Sequence, residues 1–175
     1  DNKTSCKSNE ITKMLAKVWL KTFSLIACGA FVTAASPINV TRSTCEQKSY
    51  RVYNNVGVTF MEAWRRCQWN GQRLATVSSE ADSKLLEVAI GASAVKTGPW
   101  WIAGTDQGSE GNFIWISTNV PVGFATGYEN FYPDQPDNAG GAEDCMEIGR
   151  WGGVRWNDAP CGWKQRYICE QVRPC

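Results

Sequence analysis

Apolar and polar positions along the chain follow patterns that change from one segment to the next. Residues 49–55, SYRVYNN, alternate as a strand does and end in a turn signal, which predicts a β-strand followed by a turn. Thr59 and Glu62 have the spacing of a capping box, which predicts that a helix begins at this point. The apolar residues that then recur at helical spacing are Phe60, Ala63, Trp64 and Cys67.

A second helix is predicted to begin near Ser79, with Asp82 at the box position. The apolar face expected for this helix consists of Ala81, Leu85, Val88 and Ala89. Beyond Gly98 the chain has short apolar or aromatic runs that are divided by Gly, Pro, Asn and Asp. This order predicts an α+β domain whose second half is rich in loops.

The segment at residues 14–35 has the pattern of a secretory signal peptide. Lys17 and Lys21 precede an apolar run at residues 23–32, and the small residues Ala34 and Ala35 follow it. A membrane anchor is the alternative, but the run is shorter than the roughly 20 apolar residues that a spanning helix needs. We therefore expect cleavage after Ala34 or Ala35, secretion to the extracellular space and no membrane span in the product. Residues 1–13 are expected to be an upstream non-native or read-through segment.

Composition excludes several classes of function. The chain has 175 residues, which is enough for one well-buried domain. Its net charge is +1 and it has no basic block, so nucleic acid is not an expected partner. It contains no histidine, which excludes serine–histidine and cysteine–histidine catalysis.

The cysteines and one sequon fit an oxidising compartment. Of the eight cysteines, Cys6 and Cys28 lie in the segment expected to be removed. The other six, which could form three disulfides in any of fifteen pairings, are Cys45, Cys67, Cys145, Cys161, Cys169 and Cys175. None of these six is spaced as Cys-x-x-Cys, so neither a zinc site nor a redox motif is indicated. Asn39, in the N-terminal segment 36–44, is a predicted glycosylation site.

Oxygen-bearing side chains are concentrated in YPDQPDNAGGAEDC, residues 132–145. Because Pro, Asp, Asn and Gly are common turn formers, a solvated surface loop explains this composition. A site for a hard cation also explains it, since calcium takes six to eight oxygen ligands. This stretch by itself leaves both interpretations open.

Five separated motifs resemble those of the C-type lectin domain family. In chain order they are WWIAGTDQGSEGNFIW, QPDN, EDC, WNDAPC and RYICE. The resemblance extends from about residue 50 to residue 170, so residues 45–175 are assigned to one such domain. It implies a fold of two helices, antiparallel sheets and a long calcium-binding loop region, held together by disulfides. Small secreted invertebrate lectins with a single domain are the members it resembles most.

The resemblance also implies two disulfides, Cys67–Cys169 and Cys145–Cys161. In the implied fold the first and last strands pair antiparallel, which would bring Cys45 near Cys175. We therefore predict a third disulfide, Cys45–Cys175, if their Cα atoms come within about 7 Å. The alternative is that one or both of these cysteines form bonds between chains.

The family's main calcium site falls by resemblance on Gln135, Asp137, Glu143, Asn157 and Asp158. All of these except Asp158 are also expected to bind sugar hydroxyls, and the bond before Pro136 is expected to be cis. An amide can donate a hydrogen bond whereas a carboxylate only accepts, so the order amide, Pro, carboxylate sets the pattern of donors and acceptors. In this family the order QPD accompanies galactose-type sugars and the reverse order accompanies mannose-type sugars.

One departure concerns the aromatic residue that covers the sugar. Vertebrate galactose-binding relatives place a tryptophan directly after the tripeptide, where this chain has Asn138 and Ala139. Trp151 is the candidate substitute, and the alternative is that it packs in the core with Trp101, Trp115 and Trp156. Without a stacking partner, mannose or fucose would also be accepted. A possible second calcium site falls by resemblance on Asp106, Glu110, Asn138 and Asp144, or these form only a solvated acidic loop.

Three classes of function follow from these residues. The first is calcium-dependent binding of glycans on microbial or host surfaces. The second is a protein-binding module of the same fold, anti-haemostatic or otherwise partner-binding, that does not recognise sugar. The third is a hydrolase with Glu143 and Asp144 as its acid and base, which calcium ligation would oppose by keeping both ionised. We expect the first class, no enzymatic activity and a possible oligomer, because avidity strengthens weak single-site contacts.

Overall fold

Two helices and eight strands form the part of the chain, residues 46–174, that this computed structural model describes. The helices are α1 (Phe60–Trp69) and α2 (Glu80–Gly91). The strands are β1 (Glu46–Val58), β2 (Arg73–Leu74), β3 (Trp100–Thr105), β4 (Ile114–Trp115), β5 (Val120–Pro121), β6 (Cys145–Ile148), β7 (Trp156–Ala159) and β8 (Gln165–Pro174). The predicted α+β class, with helices early and loops later, is confirmed.

The first and last strands pair antiparallel, as predicted. Their register runs from Glu46 opposite Pro174 to Tyr53 opposite Tyr167. The prediction that β1 ends in a turn at residues 54–55 is wrong, because β1 continues to Val58. This extension is possible because the ladder shifts register between Tyr53 and Val58, and the residues there bulge away from β8.

The remaining strands extend this sheet towards the loop region. β8 pairs in parallel with β3, β3 pairs antiparallel with β6, and β6 pairs antiparallel with β7. Every residue of β3, β6 and β7 is buried. Four tryptophans are the largest side chains of the core, namely Trp100, Trp101, Trp115 and Trp156. The buried centre of the sheet therefore includes β7, the strand that carries Asn157 and Asp158.

Helix α1 begins where the sequence predicts. The Thr59 hydroxyl accepts a hydrogen bond from the backbone N–H of Glu62 at 3.4 Å, which caps the helix. Phe60, Ala63 and Cys67 are buried against the sheet. A disulfide from Cys67 to Cys169 then fixes the helix to β8.

Helix α2 begins as predicted but buries a different face. The Ser79 side chain accepts a hydrogen bond from Asp82 N at 3.1 Å, so the cap is present. The expected apolar face is wrong, since Leu85 and Val88 are 45% and 71% exposed. The buried residues are Ser83, Leu86 and Ile90. The Ser83 hydroxyl forms a 2.7 Å hydrogen bond with the Tyr128 hydroxyl, and this bond satisfies the one polar group on the buried face.

Both disulfides that the resemblance implies are present. The Cα atoms are 5.5 Å apart in Cys67–Cys169 and 5.1 Å apart in Cys145–Cys161, within the usual range. The predicted Cys45–Cys175 bond, the glycosylation site Asn39 and the signal segment 14–35 all lie outside the described residues. Within residues 46–174, neither helix is long and apolar enough to serve as a membrane span.

Candidate metal centre

The β6–β7 hairpin positions two of the predicted ligands. Asn157 and Asp158 lie in the middle of β7, opposite Glu147 and Met146 of β6. Cys145–Cys161 joins the two sides of the hairpin at the end nearest these residues. Asp158 is buried, and its neighbours belong to the packed centre of the sheet. Its carboxylate is therefore held by the fold and not by a free loop.

The acidic loop is tied to this carboxylate through its backbone. Asp158 Oδ1 accepts a hydrogen bond from Asp137 N at 3.3 Å, and Oδ2 accepts one from Asn138 N at 2.7 Å. Asn138 adopts the left-handed conformation with φ 44°, and the turn continues into a short 3₁₀ helix, Ala139–Gly141. Asn138 Oδ1 accepts from Glu143 N at 3.1 Å, which brings Glu143 back towards the start of the loop. The loop is thus folded around Asp158.

Three carboxylates converge as a result of this loop conformation. One oxygen each from Asp137, Glu143 and Asp158 lie within 4.8 Å of one another. Within residues 46–174, no other group of three or more acidic or thiol ligands meets that distance. Burial raises the pKa of Glu143, and the negative charges of Asp158 and Asp137 raise it further. Such repulsion is relieved when a cation lies among the three groups.

Gln135, two residues before Asp137, offers a further test of whether the loop suits a cation. The Gln135–Pro136 peptide bond is cis, as expected from the resemblance. Gln135 Oε1 is buried and accepts no hydrogen bond from the described part of the protein. A buried carbonyl oxygen without a partner is costly, and contact with an electropositive group would offset that cost. The chemistry of this amide oxygen and of the three carboxylates fits calcium, which takes oxygen ligands.

Glu147 is a residue of this region that sequence reasoning missed. It is completely buried in β6, where its Oε1 accepts a hydrogen bond from Asn157 Nδ2 at 3.0 Å. Arg150 Nη2 donates to Glu147 Oε2 at 2.7 Å and so neutralises the buried carboxylate. Asn157 also donates to the backbone oxygen of Asp158. The signal available in the sequence was an acidic residue inside the apolar run CMEIG, which indicates a buried, paired charge.

The second set of predicted ligands is less complete. Asp106 is buried, and its Oδ2 accepts from Gly111 N at 2.8 Å while Oδ1 has no partner in the described chain. Asp106 N donates to Asp144 O at 3.3 Å, which places these two residues side by side. Glu110 is exposed, and the Asn138 amide oxygen is already used by Glu143 N. Burial raises the pKa of Asp106, and hydrogen bonds from backbone N–H groups oppose that rise.

Trp151 lies outside the core, so the interpretation that it packs there with the other tryptophans is wrong. It is 62% exposed, whereas Trp101, Trp115 and Trp156 are almost fully buried. Its ring packs edge-to-face on Tyr132, with centroids 4.8 Å apart, and its backbone N–H donates to the Tyr132 hydroxyl at 3.3 Å. Since Tyr132 is three residues before Gln135, this contact joins the β6–β7 hairpin to the acidic loop. It leaves most of the Trp151 ring open to solvent.

Comparison with known proteins gives the same family from sequence and from structure. The family model described as "Lectin C-type domain" matches residues 56–171. Salivary C-type lectin 2 of Aedes albopictus is 34% identical over 139 residues, which cover 74% of this chain and 87% of that protein. The alpha-N-acetylgalactosamine-specific lectin of Patiria pectinifera is 33% identical over 125 residues, covering 67% of this chain and 71% of that protein.

A solved structure has the same architecture. The crystal structure of the C-type lectin CEL-I from Cucumaria echinata superposes with a TM-score of 0.61 at 26% identity. The match covers 73% of this chain and 91% of that one. The family match spans more than half of the chain and includes both elements that carry the acidic site. The chain therefore belongs to the C-type lectin family, and it is a non-enzymatic carbohydrate-binding module.

Proposed function

We propose that this protein binds carbohydrate through a calcium ion held by the loop at residues 135–143 and by β7. The observation that supports this most is the convergence of three carboxylates within 4.8 Å. Gln135, two residues before Asp137, adds a buried Oε1 that has no hydrogen-bond partner in the described chain. Three acidic groups without a counterion repel one another, and a divalent cation removes that repulsion. Gln135, Asp137, Glu143, Asn157 and Asp158 are the proposed ligands.

The protein residues would orient the sugar as well as the cation. Calcium, when bound, offers coordination positions that two neighbouring sugar hydroxyls can fill. The Gln135 amide can donate to one hydroxyl, whereas the Asp137 and Glu143 carboxylates can only accept. Asp158 is engaged by two backbone N–H groups and is buried, so its role is to hold the loop and the cation.

We propose that galactose-type sugars are preferred. The order Gln135, Pro136, Asp137 is the one that accompanies galactose in this family, and one relative is named as specific for alpha-N-acetylgalactosamine. The exposed ring of Trp151 supports the same preference, because an aromatic face can cover the apolar face of a galactose ring. Weaker binding of mannose or fucose is expected if that ring contributes little.

Two further parts of the proposal concern the second ion and the location of the protein. Asp106, Glu110, Asn138 and Asp144 would form a weaker calcium site, supported by the unpartnered Asp106 Oδ1. We also propose that the protein is secreted. Two disulfides and a relative named as a salivary lectin support this, since disulfides persist in oxidising compartments.

Adsorption to sugar-coated beads tests the proposal directly. The protein should bind galactose beads in calcium, bind mannose beads less well and be released by EDTA. Asp137→Ala should abolish this retention and leave the circular dichroism spectrum unchanged, because Asp137 is exposed and outside the core. Glu87→Ala, which removes an exposed acidic group from α2, is the matched control and should bind as the parent does.

Two results would contradict the proposal. Retention on galactose that persists in EDTA would remove calcium from the mechanism. Failure to bind any sugar, combined with a protein ligand that is retained in EDTA, would favour the protein-binding alternative. A double change, Gln135→Glu with Asp137→Asn, should shift preference towards mannose, and an unchanged preference would refute the donor and acceptor argument.

A further inference from the structure

The buried carboxylate of Glu147 lies directly across the β6–β7 hairpin from Asn157. The two residues are Cα partners in the antiparallel ladder, and both are buried. Glu147 Oε1 accepts a hydrogen bond from Asn157 Nδ2 at 3.0 Å. Asn157 directly precedes Asp158, whose carboxylate belongs to the converging group of three. Glu147 therefore contacts a proposed calcium ligand, although it is not a member of that converging group itself.

Glu147 receives hydrogen bonds from two residues, and both of them are donors. Arg150 Nη2 donates to Glu147 Oε2 at 2.7 Å, and Arg150 Nε donates to Oε1. A carboxylate paired in this way has only acceptors, whereas an asparagine amide has an NH₂ donor at one end and an oxygen acceptor at the other. The end of the Asn157 amide that faces Glu147 is therefore its nitrogen.

An amide that turns its nitrogen towards one neighbour turns its oxygen away from that neighbour. Both hydrogen bonds that the Asn157 side chain forms within residues 46–174 use Nδ2, one to Glu147 and one to the backbone oxygen of Asp158. Asn157 Oδ1 is thus left without a donor in the described chain. This oxygen is the atom that a hard cation binds, whereas the NH₂ group carries partial positive charge and repels a cation.

Arg150 holds Glu147 in place independently of Asn157. A completely buried carboxylate without a partner would be costly, and Arg150 pairs with it. The Arg150 guanidinium also lies 5.0 Å from the centre of the Trp163 ring, which adds a cation–π contact. Because these contacts do not involve Asn157, Glu147 can determine how the Asn157 amide is turned.

We propose that Glu147 is the positioning residue that turns the oxygen of the Asn157 amide towards the cation. This inference rests on the proposed function, because it gives Glu147 a role in the same calcium site. Without an acceptor at this position the amide could also turn its nitrogen to the cation, and one ligand would be lost. Residues that orient a metal ligand in this way typically change metal affinity by about 10- to 100-fold when they are replaced.

Calorimetric titration with calcium alone, without sugar, tests the role of Glu147. In Glu147→Gln, Arg150 takes the oxygen of the substituted amide, so the NH₂ group of that amide faces Asn157 and draws Oδ1 away from the cation. Calcium affinity should fall by at least about tenfold.

The same substitution should have the opposite effect when Asn157→Asp is also present. Asn157→Asp alone places two carboxylates opposite each other. Adding Glu147→Gln supplies an NH₂ group that donates to one oxygen of the substituted carboxylate and leaves the other for the cation. Calcium affinity should therefore be higher in the double variant than in Asn157→Asp alone, whereas a general loss of negative charge would lower it in both backgrounds.

Two controls separate orientation from charge and from folding. Glu129→Gln removes an exposed acidic group from the segment before the acidic loop and should change calcium affinity by less than about twofold. Circular dichroism and the melting temperature in EDTA record whether each variant is folded.

A measurement on the unaltered protein does not depend on the folding of any variant. In NMR spectra of the metal-free protein, the side-chain NH₂ protons of Asn157 should exchange with water at least about tenfold more slowly than those of Gln68, which is exposed on α1. The reason is that Asn157 Nδ2 donates to a buried carboxylate.

The outcomes distinguish this inference from the proposed function. If the parent binds calcium, then unchanged affinity in Glu147→Gln, or a fall in both backgrounds, would overturn the role of Glu147 and leave the calcium site intact. Exchange of the Asn157 NH₂ protons as fast as those of Gln68 would overturn it as well. A parent that binds no calcium would refute the proposed function, and this inference with it.

Discussion

Replacing Glu143 with Gln should make the metal-free protein more stable and the calcium-loaded protein less stable. Glu143 carries a charge within 4.8 Å of those of Asp137 and Asp158, and the variant removes that charge at nearly constant shape. The amide oxygen of the substituted side chain can still accept the hydrogen bond that Glu143 Oε2 now receives from Ala139 N at 3.1 Å. The change therefore isolates the electrostatic contribution of one carboxylate.

The size of the effect follows from the distance. Two unit charges about 4 Å apart in water repel by about 1 kcal/mol, and Glu143 has two such neighbours. Since Glu143 is partly exposed and Asp137 is exposed, salt and solvent reduce the total to about 1 kcal/mol. For a domain of this size, that corresponds to a rise in melting temperature of about 4 °C in EDTA.

Scanning calorimetry in EDTA and then in excess calcium measures both effects. The parent should gain the larger increase in melting temperature from calcium, because a ligand that binds more tightly stabilises the folded state more. Glu87→Gln, on the exposed surface of α2, is the control and should respond as the parent does. A variant that is less stable than the parent in EDTA, or that gains the same increase from calcium, would refute the argument that these carboxylates repel one another and bind the ion together.

Three further predictions concern other groups. The pKa of Glu143 is higher in the folded than in the unfolded protein, so the metal-free domain should lose stability as pH rises through that raised pKa. Glu143→Gln should lose less stability over the same range. Urea unfolding in EDTA across about pH 4 to 7 checks this, and equal pH dependence of the unfolding free energy in the two proteins would contradict it. Glu170→Ala should cost about 3 kcal/mol of unfolding free energy in urea, because Glu170 is fully buried and accepts from Arg73 Nε at 2.8 Å and Thr76 N at 2.9 Å. A cost below about 1 kcal/mol would show that the network contributes little. Non-reducing peptide mapping should find Cys45 linked to Cys175, and a covalent dimer on a non-reducing gel would instead indicate bonds between chains.

Local signals predicted the starts of the helices but not which face of α2 is buried. Thr59 and Ser79 cap their helices because the cap depends only on residues three apart in sequence. The buried face of α2 depends on what lies across from it, and Tyr128 provides a hydroxyl partner for Ser83. With Ser83 buried, the buried face of α2 is displaced by one residue from the face predicted from apolar residues, so Leu85 and Val88 remain exposed.

At the acidic site, residue types could be predicted from the sequence, whereas contacts across the β6–β7 hairpin could not. Candidate ligands could be named from the resemblance to the family, and they are carboxylates and amides, the side-chain types that supply oxygen ligands to hard cations. Glu147 was missed because its role depends on pairing across the β6–β7 hairpin with Asn157. The two interpretations of Trp151 differed only in burial, and the contact with Tyr132 decided that it lies outside the core.

The sequence by itself determined the helix starts, because a cap depends on residue type and on short spacings that the chain carries without being folded. Its motifs also identified the family, and the resemblance predicted the pairing of the first and last strands and a set of candidate oxygen ligands. Only the tertiary structure decided that Asp137, Glu143 and Asp158 converge while Glu110 stays exposed. The distances between these side chains and the burial of each depend on strand register, which brings together residues that are far apart in the chain only when the sheet has formed.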